Sequence, residues 1–117
     1  FYTNKGSIIR ELIYRGIQLS QMLRDAGHNV IEVYPHASKM LLFGDKVPPK
    51  NSAASISYMI GHLTPLVPGM EDYTNDLDRN RCDSIINAYT GQLHNQSNTD
   101  ILGDPNEGVL VLPKLPN

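Results

Sequence analysis

Val30, Ile31, Glu32, Val33 and Tyr34 form the stretch that most narrows the folds open to this chain. Four of the five are β-branched or aromatic, the run is too short for a helix, and Pro35 stops it, so it reads as a β-strand. A strand buried on both faces shows such a nearly continuous apolar run, and it belongs to a sheet covered by helices. The expected fold class is therefore α/β.

Helical patterns flank that strand. From Ser7 to about Gly27 the residues Ile8, Ile9, Leu12, Ile13, Ile17, Leu19, Met22 and Leu23 recur mostly at helical spacing. Ser7 is suited to cap the start, and Gly27 to take the left-handed position just past the end. Pro35 to Phe43 reads as a second helix with proline in its first turn, and Gly44 to Asn51, with Pro48 and Pro49, as a loop. Ser52 to about Val67 is predicted helical until Pro65 and Pro68 stop it. A further long helix runs from Asp76 or Asp78 to about Gln96, with Ile85, Ile86, Tyr89 and Leu93 as its apolar stripe. Short extended segments, Asp100 to Leu102 and Val109 to Leu112, close the chain across a turn at residues 103–108.

The order is thus α, β, α, α, α, then short β, read as one domain over residues 1–117. One convincing strand cannot make a sheet. Its neighbours are expected from a segment upstream of Phe1, whose surroundings read like the middle of a domain, or from a second chain, a copy of this one included.

At 117 residues the chain is long enough to bury a core without disulfides or a structural metal. Forty per cent apolar and 19% charged residues exclude a disordered chain, and no apolar run approaches a membrane span, so no membrane partner is expected. A net charge of −2 argues against strong nonspecific binding to nucleic acid, while leaving room for a local basic patch. The single cysteine, Cys82, excludes a disulfide framework and a multi-cysteine zinc site, and fits a reducing compartment such as the cytoplasm. The histidines, His28, His36, His62 and His94, lack ligand spacing.

Two carboxylates stand out. Glu32 interrupts an apolar strand, and a buried carboxylate must be paired, hydrogen-bonded or metal-bound; an exposed or salt-bridged Glu is the simpler reading. Asp83 lines up with Asn87, Thr90 and His94 at spacings of four, seven and eleven, a polar stripe whose simplest reading is a solvated face. Together, a carboxylate on a strand and another on a helix packed across its end suit an oxygen-liganded divalent ion such as Mg2+, the basis of two-metal phosphodiester cleavage. Lys50, Arg79 and Arg81 are candidates to neutralise phosphates beside such a site, with plain surface charge as the alternative. No glycine-rich phosphate loop and no Ser or Cys nucleophile motif is present.

Three segments carry a resemblance: residues 31–38 (IEVYPHAS), with Lys50 downstream, residues 82–90 (CDSIINAYT) and residues 102–113 (LGDPNEGVLVLP). With Arg15 and Gly16 in the first helix, they make nearly the whole chain resemble the family called domain of unknown function 429, predicted nucleases of the RNase H-like superfamily. The resemblance implies a mixed sheet flanked by helices, of which this chain would be the C-terminal half. It also implies that Glu32 matches the fourth-strand acid and Asp83 the helix acid of a site for Mg2+ or Mn2+, while the first-strand Asp has no counterpart here. The chain departs from the family pattern at Asn80, where an acidic residue is usual; the small residue usually found after the helix acid is Ser84 here. The expected function is metal-dependent phosphodiester hydrolysis of nucleic acid, incomplete in these residues alone; the alternative is a noncatalytic nucleic-acid-binding or scaffold domain that retains the fold.

Overall fold

The computed structural model describes residues 2–44, 47–49 and 52–114. Among them it is mixed α/β, with four α-helices, one 3-10 helix and a two-stranded antiparallel sheet. Contacts divide the chain into two units, Phe1–Ile31 and Glu32–Asn117.

The first unit is helix α1, Tyr2–Asp25, and the turn that ends it. The helix begins earlier than the Ser7 start predicted, and Gly16 does not break it. Its end is as expected: Gly27 adopts a φ of 91°, the Gly27 N–H donates to the Arg24 carbonyl and the His28 N–H to the Leu23 carbonyl. That pair of bonds satisfies carbonyls which the last turn would otherwise leave open.

The second unit holds α2 (Pro35–Phe43), α3 (Ala53–Leu63), the 3-10 helix (Met70–Asp76), α4 (Arg79–Asn95) and strands β1 (Thr99–Asp104) and β2 (Gly108–Pro113). Pro35 opens α2, and the Ser52 side chain caps α3 by accepting the Ser55 N–H at 3.2 Å. α3 ends at Leu63, short of the predicted Val67. Pro65 has no N–H to continue the ladder, and the Leu66 and Val67 N–H groups both turn back to the Leu63 carbonyl. The 3-10 helix was not foreseen; only Met70 of its seven residues is buried, so it carries no apolar periodicity to read.

The core of this unit is Met59, Leu63, Met70, Cys82 and Ile86, with Phe43, Tyr58, Val67, Leu77 and Ile85 packed around it. It joins α3, the 3-10 helix and α4. α2 packs on both α4 and β2, and α4 also contacts the hairpin.

The run Val30–Tyr34 is not a strand. Val33 alone pairs, in parallel with Val111, and the Val111 N–H donates to the Glu32 carbonyl at 2.9 Å. A ladder gains from neighbours on both edges, and among the described residues this segment has only β2 on one side. The period-two alternation survives in its second half: Glu32 and Tyr34 are exposed and Val33 is half-buried. The hairpin is longer than predicted by a residue or two at each end, pairing Thr99 with Pro113 through Asp104 with Gly108.

Gly103 is fixed by its surroundings. Its φ is 116°, and a Cβ there would lie 2.6 Å from the Gly108 carbonyl oxygen. Gly103→Ala is expected to lower stability by about 2 kcal/mol through this clash and the left-handed backbone, measured as a shift in the urea unfolding midpoint at unchanged slope.

Candidate functional site

α4 begins where Asp78 accepts the Arg81 N–H at 2.8 Å, placing a carboxylate at the positive end of the helix. From that start the helix turns Cys82 and Ile86 into the core. Its polar stripe is not a solvated face. Asp83 and Asn87 are half-buried and Thr90 is fully buried, Asp83 and Thr90 meeting α2.

α2 answers with its own polar residues. Ser38 and Lys39 are its two buried side chains, Lys39 only 5% exposed. Lys39 Nζ lies 3.2 Å from Asp83 Oδ1, an ion pair between the two helices. Thr90 Oγ1 donates to the Ile86 carbonyl at 2.9 Å and lies 3.5 Å from Ser38 Oγ. One turn beyond, His94 Nδ1 is hydrogen-bonded to Thr99 Oγ1 at 2.8 Å, tying α4 to β1.

Asp83 Oδ1 and Asn87 Oδ1 are both buried, and among the described residues neither receives a well-directed hydrogen bond, Asp83 despite its closeness to the ammonium. Buried acceptors without donors are uncommon and costly. Two such oxygens a turn apart are hard ligands, the type that suits Mg2+ or Mn2+. Among the described residues no group of three His, Cys, Asp or Glu side chains converges to hold an ion by itself.

Glu32 takes no part in Asp83's ion pair. Its carboxylate is exposed and has neither hydrogen bond nor ion pair among the described residues, while its backbone is held by β2. Of the predicted phosphate-neutralising residues, Arg79 is exposed at the first position of α4. Arg81 is exposed too, and its guanidinium donates to the Asp76 carbonyl, which ties it to the end of the 3-10 helix beside an apolar groove of about 590 Å3. Lys50 lies outside the described residues.

Cys82, next to Asp83, is 1% exposed. Burial pushes its thiol pKa up, the Asp83 and Asp78 carboxylates push it further, and Lys39 offsets part of this. These effects favour the neutral thiol over the reactive thiolate.

Sequence reading missed Lys39 and Ser38. Nothing within α2 distinguishes Lys39 from a surface lysine, because its burial depends on a carboxylate far along the chain. The described residues also contain no helix long and apolar enough to cross a membrane. No protein-family description, curated protein or solved structure matches the chain.

Proposed function

We propose that this chain carries part of an RNase H-like, metal-dependent nuclease site, with Glu32 and Asp83 as ligands of Mg2+ or Mn2+. The observation that carries the reading is a shared neighbour: the segment bearing Glu32 runs parallel to β2 at Val33, and α4, which bears Asp83, packs on the same strand. A parallel neighbour beside an antiparallel hairpin is what a mixed sheet of that superfamily calls for. The resemblance around Glu32, Asp83 and residues 102–113 supports the same assignment.

In this reading Asp83 and the Asn87 amide oxygen supply hard donors from one helix face, and the exposed Glu32 carboxylate supplies another from the neighbouring segment. A bound divalent ion polarises the phosphate and lowers the pKa of its water. Arg79, Arg81 and Lys50 neutralise the phosphate chain, Arg81 with its guanidinium already anchored at one edge.

The rival reading, a noncatalytic nucleic-acid-binding or scaffold domain, draws on two observations. Lys39 already neutralises Asp83, and Asn80 stands where the resemblance asks for an acid. Calorimetric titration of Mn2+ into the chain separates ligand from bystander: binding weakened at least tenfold in both Glu32→Gln and Asp83→Asn is expected, and unchanged binding in both overturns the metal assignment. Metal bound without cleavage of single-stranded, duplex or branched nucleic acid selects the noncatalytic reading.

A further inference from the structure

We propose that Lys39 is the resident cation of the α2–α4 seam, holding the position beside Asp83 that a divalent ion takes, and that ion binding drives its ammonium into the small cavity next to it. The proposal rests on the reading of Asp83 as a metal ligand and adds to it a residue that competes for that ligand.

Three observations meet at this side chain. First, Lys39 is almost wholly buried, yet among the described residues its one charged partner is Asp83, whose Oδ1 it approaches at 3.2 Å without giving it a well-directed hydrogen bond. A buried ion pair is a weak source of stability, since desolvation of both charges offsets their attraction. Second, the seam has spare acceptor capacity. Asn87 Oδ1, one turn along α4, is buried and receives no hydrogen bond among the described residues. A divalent ion with six or more oxygen ligands uses that capacity where an ammonium does not. Third, Lys39 has somewhere to go. With His36, Met40, Pro48 and Ser55 it borders a cavity of about 160 Å3, room for several waters at roughly 30 Å3 each.

Charge favours the exchange. A divalent ion at Asp83 and an ammonium at contact distance repel one another more strongly inside a protein than in water. The long, flexible lysine stem is the part able to move, whereas Asp83 is fixed on a capped helix. Free of ion, the seam is closed by Lys39; loaded, Lys39 sits in the cavity with its ammonium hydrated.

The test is Mn2+ titration into the whole chain and its Lys39→Met variant, which keeps length and removes charge. Affinity at least tenfold tighter than wild type is expected, because the competitor is gone. Lys39→Gln carries the same comparison should the methionine variant not fold. A second measurement needs no variant: the rate of Lys39 acetylation by acetic anhydride, followed by peptide mass spectrometry, is expected to rise severalfold at saturating Mg2+. Equal or weaker Mn2+ binding in the Lys39 variants, or an acetylation rate that Mg2+ leaves unchanged, overturns the proposal. The two levels separate cleanly. Binding lost in Asp83→Asn but unmoved by Lys39 changes rejects the exchange and keeps the metal site, whereas no binding in any form, wild type included, rejects both.

Discussion

Asp83→Ala is expected to lower the unfolding free energy by about 3 kcal/mol, the low end of the range for breaking a buried ion pair. The cost arises mainly on the lysine side. Asp83's side chain keeps 22% of its surface in water, so its own desolvation is partial, whereas the Lys39 side chain is 6% exposed and would be left without a counter-charge. The cavity beside Lys39 limits the loss, because the ammonium has a hydrated alternative. Thermal unfolding checks it: about 3 kcal/mol in a chain of this length corresponds to a fall in midpoint of roughly 10 °C. In the double variant Asp83→Leu with Lys39→Met, most of the loss should return, since a packed apolar pair replaces the charges without stranding either one. A single-variant loss below about 1 kcal/mol would show that Lys39 reaches water freely, and the ion pair would then be no organising contact of the seam.

Several element ends of this chain were legible from local rules, though the Ser7 cap did not start α1. Pro35 and Phe43 bound α2 as read, Asp78 and Ser52 cap their helices, and Gly27 takes the left-handed position, because caps and breakers act within a turn of their own residue. Pairing was less legible. The composition of Val30–Tyr34 is that of a strand, but a strand also needs a neighbour, and only Val33 has one here. The polar stripe of α4 failed for a related reason: spacing shows which residues share a face, not what lies opposite it. Asp83 and Thr90 turn inward because Lys39 and Ser38 meet them there, and no periodicity in either helix records that encounter. Of the candidate site, the residues were therefore readable and their company was not. The comparisons add no family evidence, so the nuclease reading stands on the resemblance and on the two carboxylates' common neighbour, β2.

Ile86→Ala should be as damaging as any substitution on α4, with an expected loss of about 3 kcal/mol. Its side chain is fully buried, at the point where α4 meets Met59, Leu63, Met70 and Cys82. Truncation removes the transfer energy of the lost methylenes and leaves a cavity that helices on two sides cannot close, and such changes cost 2–5 kcal/mol. Ile101→Ala on β1 is the control. That side chain is 61% exposed, so its loss should stay within about 0.5 kcal/mol although the chemistry of the change is the same. Urea unfolding of the pair measures burial directly, as the difference between two identical truncations. The comparison also reaches the candidate site, since Ile86 lies between Asp83 and Asn87 in sequence and its carbonyl accepts the Thr90 hydroxyl. If Ile86→Ala cost no more than Ile101→Ala, α4 would not be seated on the core, and the inward polar face that brings Asp83 to Lys39 would lose its physical basis.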